Sequence, residues 1–417
     1  MSILKKRLVD FEEVLIDEEI DLITLRRLCF HGIPDEGGLR SQCWKLLLNY
    51  LPLSRQDWSD VLKRKRDLYN TFIEDLIVTP GETTVDGDRV DVTLHDHPLN
   101  SNPGSKWQTY FKDNEVLLQI DKDVRRLCPD ISFFQQGTDY PCQAIVNVNG
   151  PKRLHSRVQY TVLRSANVER KGLGVTKIAV SVRKAPEDYA PLAEGGEAHW
   201  EVLERILFLY AKLNPGQGYV QGMNEIVGPI YHAFACDPDP KWREYAEADT
   251  FFCFTNLMGE IRDFFIKSLD EAEFGINAMM IKLNQQVKSN DHEVYLRLQQ
   301  QDLCPQYYSF RWLTLLLSQE FPLPDVMRIW DSLFADEKRF SFLIHICCAM
   351  ILLLKDQLLD NDFATNVKLL QNFPSMDIQI VLTKAASLAG KVSVLLKKKK
   401  KKKNKIFYQF IFIPIFF

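Results

Sequence analysis

Apolar residues recur at steps of three and four along most of this chain. Leu117, Ile120, Val124 and Leu127 form one such series, which ends near Pro129. Leu203, Ile206 or Leu207, Tyr210 and Leu213 form a second and run into Asn214-Pro215-Gly216, a helix stop signal. A helix is therefore expected to deliver the chain into a Pro-Gly-rich loop. The same spacing returns from Trp312 to Leu317 and around Val326, Ile329 and Leu333. Strand-type alternation is scarce and isolated, so the pattern predicts an all-α fold of many packed helices. The apolar run from Phe342 to Leu354 contains His345 and two cysteines. It is too short to cross a bilayer, which takes about 20 residues, and reads as a buried helix.

Two regions break the helical pattern. From about Gly137 to Gly196, Gly, Pro, Lys and Arg mix with short β-prone pieces such as Thr176 to Val182, and the stretch reads as a long, partly disordered insertion. At the end, seven consecutive lysines, Asn404 and Lys405 precede the almost uniformly apolar residues 406–417. This tail reads first as translation past a splice junction or into AT-rich sequence. The competing reading is a membrane anchor, in which lysines meet anionic lipid and apolar residues enter the interface.

The tail also hides the charge of the rest. The 417-residue chain has a formal net charge of −3, but eight of its 52 basic residues lie between Lys397 and Lys405. Without them 44 basic residues face 55 acidic ones, a body at −11 that would repel nucleic-acid phosphates. The nine cysteines form neither a CxxC pair nor a zinc-type repeat and read as reduced core residues. The N-terminus MSILKKRLVDFEEV carries charges on both sides of its apolar residues, unlike a secretory signal. With 46% apolar residues, the chain can bury a large core or two ordinary ones.

Two motifs carry candidate chemistry. Residues Ile120-Asp121-Lys122-Asp123-Val124-Arg125-Arg126 contain an IxxDxxR pattern on a predicted helix, with Asp123 and Arg126 three apart and able to touch. On that helix Arg126 points away from the apolar stripe, available to a partner. Alone, the pattern also describes a solvated helix face. The second motif is Asn214-Pro215-Gly216-Gln217-Gly218-Tyr219-Val220-Gln221-Gly222-Met223-Asn224. Gly216, Gly218 and Gly222 permit backbone conformations closed to other residues. The Gln221 amide can donate and accept, as aligning an attacking water requires, although it is equally a polar loop residue without a partner.

Taken in this order, the two patterns resemble the catalytic pair of the TBC domain, the RabGAP fold. Gly32-Ile33-Pro34 with Leu39-Arg40 and Trp44 resembles the motif that opens that domain, and Asp249, Phe252, Phe254 and Leu257-Met258 a later helix. Arg311-Trp312 and Arg328-Ile329-Trp330-Asp331 resemble the segments that close its core. The likeness spans roughly Phe30 to Leu354.

The resemblance implies a V-shaped multi-helix domain with two catalytic side chains projecting from one groove. Its boundaries would be a helical extension over 1–28, the TBC domain over 29–390 with the insertion at about 137–196, and the tail over 391–417. It further implies a GTPase activator rather than an enzyme in its own right, acting on a GTP-bound Rab-family GTPase and so on vesicle trafficking. Arg126 would enter in trans as an arginine finger and Gln221 as a glutamine finger, with Asp123 fixing Arg126 and Tyr219 buttressing the loop. Ile120, Gly222 and Asn224 complete the two motifs as supporting positions. Gly32, Pro34, Arg40, Trp44, Trp330 and Asp331 are expected to be structural, Arg40 bonding a carboxylate or helix end and Asp331 capping or pairing with an arginine. No cofactor or metal of its own is expected, since GTP and magnesium come with the partner. The expected setting is a monomer in the cytoplasm, associated peripherally with endomembranes through its partner or its tail.

Two rival readings are a non-catalytic Rab-binding scaffold or effector, and a helical-repeat adaptor. Both finger residues are present, which disfavours the first. No self-similarity at a repeat period supports the second. Gly172-Leu173-Gly174-Val175-Thr176-Lys177 lacks phosphate-loop spacing, and His95-Asp96-His97 reads as polar loop rather than metal site.

Overall fold

The computed structural model describes residues 3–77, 105–146, 153–158, 189–193, 195–266 and 275–390. The His95 to His97 stretch, Gly172 to Lys177, Thr176 to Val182 and the tail lie outside these residues. Among the described residues every regular element is a helix, apart from isolated bridges pairing Glu19 with Ser54 and Gly137 with Ala198. No described helix is long and apolar enough to cross a membrane. The chain divides into two compact units, Met1–Leu22 with Pro34–Arg262, and Ile23–Ile33 with Asp263–Phe417.

The first unit is built around the helix His199–Leu213. Its sequence suggested one apolar stripe, yet every residue from His199 to Ala211 is buried. The helices Trp58–Leu76, Lys106–Val124, Met223–Ala235 and Ala246–Ile261 all pack on it. Complete cover takes charged side chains inside, where each must find a partner or lose its charge. Arg205 is held between Glu197 and Glu247, the latter by hydrogen bonds of 2.6 and 2.7 Å. Glu204 has no comparable ion pair. Burial, reinforced by Asp121, pushes its carboxyl well above the usual range.

Asp249, in the predicted later helix, is a second hub and fully buried. Its carboxylate accepts hydrogen bonds from Tyr50 at 2.6 Å and from Arg66 at 2.9 and 3.0 Å, with Lys45 at 3.1 Å. Although burial opposes ionisation, Lys45 and Arg66 hold its pKa below the ordinary carboxylate value. Trp44 is fully buried nearby in sequence, and Arg40 pairs with the carboxylate of Asp35.

Parts of the region read as an insertion belong to this unit's packing. Arg157 is 2% exposed, donates to Asn114 Oδ1 at 3.0 Å and lies over the Tyr110 ring at 4.3 Å. His155 contacts Glu201 at 3.1 Å. Mixed composition concealed these anchors because each pairs with a residue far away in sequence.

The second unit packs around Arg339–Leu353, the buried helix expected from Phe342 onward, with Ile276–Asn290, Leu323–Ala335 and Ile378–Leu388 against it. Here the opening and closing motifs meet. The Ile33 N–H donates to Asp331 Oδ2 at 2.9 Å, and the Ser332 hydroxyl donates to Phe30 O at 2.7 Å. Asp331, expected to cap or pair with an arginine, thus accepts a backbone amide from the opening motif. Gly32 has φ of +91°, and a Cβ there would sit 2.6 Å from Arg328 Nε, so both conformation and space demand glycine. Trp330 is fully buried and its Nε1 donates to Leu316 O at 2.9 Å. The stretch Trp312 to Leu317 is not one helix: Ser309–Thr314 ends early, and Leu316 and Leu317 take φ of 50° and 65°.

All nine cysteines are free thiols, but only Cys29, Cys43, Cys253, Cys347 and Cys348 are core residues. Cys236 and Cys304 are exposed, while Cys128 and Cys142 are half-buried. Small size lets cysteine tolerate either environment, so its type alone did not predict burial.

Candidate functional site: two linked loops in the first unit

The helix Lys106–Val124 starts at Ser105, whose hydroxyl accepts the N–H groups of Trp107 and Gln108 at 3.1 and 3.4 Å. Its core stripe is as expected: Leu117, Ile120, Val124 and Leu127 are all fully buried. Its end is not. The helix stops at Val124, so Arg126 lies in the following turn rather than on a helix face. The Arg126 N–H bonds Asp123 O at 3.2 Å, which still keeps the two residues adjacent.

Arg125 and Arg126 part company at this turn. Arg125 is buried, donates through Nε to Asp121 at 2.7 Å, and lies 4.2 Å over the Trp200 ring. Arg126 is exposed. The sequence preference for Arg126 as the outward residue agrees with that geometry.

The second loop leaves the central helix at Leu213 and enters Met223–Ala235. Gly218 and Gly222 adopt φ of 65° and 99°, whereas Gly216 needs no such conformation, so the expectation of three permissive glycines holds for two. Gly222 is the N-cap of the new helix, and Gln221, just before it, is exposed.

Two hydrogen bonds tie the loops together. The Tyr219 hydroxyl donates to Asp123 Oδ2 at 2.6 Å and is 3.5 Å from Asn224 Oδ1. Asn224 Nδ2 donates to Asp123 O at 3.3 Å. Asp123, three residues before Arg126, is thereby bonded to residues two before and three after Gln221. Burial raises the pKa of Asp123, while the Tyr219 hydrogen bond and the charge of Arg126 oppose that rise. The Tyr219 phenol is pushed far above its ordinary value, by burial first and by Asp123 next, so it stays a donor. A third contact adds a close approach: a Cβ on Gly228 would lie 2.8 Å from Leu127 Cδ2.

Ile120, Asp123, Tyr219, Gly222 and Asn224 thus gather about the two loops. Gly32, Pro34, Arg40, Trp44, Trp330 and Asp331 are instead part of the framework of their own units. Sequence reasoning missed Tyr189, which bonds the turn bearing Arg126 and which no local pattern singles out. Among the described residues no cluster of metal-ligating side chains occurs.

Residues 185–359 match the model of the Rab-GTPase-TBC domain. Over 394 residues the chain is 57% identical to TBC1 domain family member 13 of Homo sapiens, covering 93% of this chain and 98% of that protein. The chain belongs to the TBC domain family. A TBC domain-containing protein of Schizosaccharomyces pombe is 36% identical over 451 residues, covering 91% of this chain and 72% of the relative. The crystal structure of the Ypt/Rab-GAP domain of Gyp1p superposes with a TM-score of 0.63 at 23% identity, covering 92% of this chain and 98% of that one, which supports the TBC fold. In this TBC protein the two motifs that suggested the family are those the Tyr219–Asp123 bond joins.

Proposed function

We propose that this TBC protein is a GTPase activator for a Rab-family small GTPase in its GTP-bound state, and through it a regulator of vesicle trafficking at endomembrane surfaces. The observation that carries the reading is the Tyr219–Asp123 hydrogen bond, because it places the segments of Arg126 and Gln221 side by side with both residues exposed. In this reading the Arg126 guanidinium enters the partner's site and compensates charge developing on the transferring phosphoryl group. Gln221 orients the attacking water. Asp123 and Asn224 hold the two loops in register, and the partner brings the nucleotide and magnesium. Membership in a family described as Rab-GTPase-TBC and the Ypt/Rab-GAP title of the Gyp1p structure support the choice of partner.

The rival is a scaffold that binds the same GTPase without accelerating it. A single-turnover GTP hydrolysis screen over a panel of Rab proteins separates them. Wild-type protein should accelerate at least one member, and Arg126→Ala should lose most of an effect that for arginine fingers is of order 10³ to 10⁵. Gln221→Ala should lose a comparable or smaller share. Equal acceleration by all three proteins would refute the finger assignment, and binding without acceleration by wild type would establish the scaffold.

A further inference from the structure

Tyr189 lies directly against the turn that carries Arg126. Its backbone N–H donates to Arg125 O at 3.1 Å, and Arg125 Nη1 donates back to Tyr189 O at 2.6 Å. Its hydroxyl donates to Leu127 O at 2.7 Å, with the Gln135 side chain hydrogen-bonded to the same group. Residues on both sides of Arg126 are therefore held by one tyrosine, 6% exposed and 62 positions from Leu127 in sequence.

The turn has particular need of such a clamp. It follows the last helical residue, Val124, and carbonyls at a helix end lack intrahelical donors. The carbonyls of Arg125 and Leu127 are the two that Tyr189 serves. Immediately beyond, Cys128 takes φ of 46°, a sparsely populated conformation for a non-glycine residue, which persists only where surrounding contacts determine it. The Arg125 side chain is fixed as well, by Asp121 and by the Trp200 ring. The backbone of Arg126 is thus the middle of a segment tied down at each end, while its side chain faces outward.

We propose that Tyr189 is a positioning residue for Arg126, restricting the turn so that the guanidinium is presented in one backbone geometry. The proposal rests on Arg126 acting as the finger. It assigns a role to a residue outside both motifs, and it predicts that the hydroxyl matters for rate rather than for association. Proximity effects make this sensitive, since a displacement of about 1 Å at a reacting group can cost on the order of 10² in rate.

The test uses the full chain with whichever Rab protein wild type accelerates most in the screen above. Tyr189→Phe keeps the ring and both backbone bonds and removes only the hydroxyl. Losing one hydrogen bond to the turn should lower the maximal single-turnover rate roughly three- to tenfold. The concentration of chain giving half that rate should stay at the wild-type value. An unchanged maximal rate would overturn the proposal. So would a lowered rate accompanied by weaker partner binding, because a residue that acts only on the framework of the surface behaves that way. Arg126→Ala in the same assay separates the two levels of inference. If it accelerates like wild type, the finger reading itself fails. If it does not, and Tyr189→Phe retains full rate, only the positioning role is lost.

Discussion

Asp123 shows how one carboxylate can serve two loops. Its Oδ2 accepts from Tyr219 and its backbone oxygen from Asn224, while the neighbouring Arg126 favours its ionised form. Removing the phenol in Tyr219→Phe leaves a half-buried carboxylate without that donor, a loss of about 1.5 to 3 kcal/mol for a hydrogen bond to a charged group. Because the bond lowers the pKa of Asp123, its removal raises it further. The acid limb of the GTPase-activation profile should therefore move to higher pH in Tyr219→Phe, as measured by single-turnover rates from pH 5 to 8. An unmoved limb would separate Asp123 ionisation from activity. Asp249 tests a purely structural charge: Asp249→Asn leaves Lys45 and Arg66 without their buried counter-charge. Urea unfolding should show a loss of about 3 to 5 kcal/mol. That Asp249 matters was readable from its place in a motif, but its partners were not, since Lys45 and Arg66 come from two other helices and Tyr50 from the bend after the first of them.

Among helices, the periodic stripes of Lys106–Val124 and Leu323–Ala335 were legible because burial of one face imposes a repeat on the sequence itself. The central helix His199–Leu213 was recognised as a helix, yet its all-round burial was not, because Glu201, Glu204 and Arg205 look like a solvent face until Glu197 and Glu247 are placed beside it. The end of the helix Lys106–Val124 differs from the expectation for a similar reason: Tyr189, not a local capping residue, receives the chain beyond Val124. Close packing of the two motif-bearing segments gives a prediction at Gly228. In Gly228→Ala the new methyl meets the fully buried Leu127, and overpacking of about 1 to 3 kcal/mol should outweigh a helix-propensity gain near 1 kcal/mol. Thermal unfolding should show the variant less stable than wild type; an increase in stability would mean that Leu127 moves aside freely.

The first unit as a whole should weaken in mild acid. His199 stacks on the Phe133 ring and His232 meets it edge-to-face, with ring centroids 4.1 and 4.7 Å away, and His199 shares a 2.7 Å hydrogen bond with Tyr231. Burial, the leading cause for both, brings their pKa values from 6.5 to about 4. An unfolded chain therefore binds protons at these sites through a range in which the folded chain does not. Their contribution to stability is complete above pH 6.5 and is lost as pH falls toward 4. Melting temperatures measured from pH 7 to 5 should decline, and less steeply in a His199→Gln/His232→Gln variant. Parallel declines would place the acid sensitivity elsewhere.

Sequence by itself determined that this chain is helical, which faces of most helices are buried, and that two motifs in TBC order carry an arginine and a glutamine. Those properties are written locally, in the 3.6-residue repeat and in covalent spacing along the chain. Tertiary structure alone decided that Asp331 receives the amide of Ile33, 298 positions away, that Tyr219 joins the two motif-bearing loops, and that Tyr189 closes on the turn around Arg126. A hydrogen bond between residues so remote in sequence imposes no period and no spacing on either partner, so only the folded chain can bring it into view.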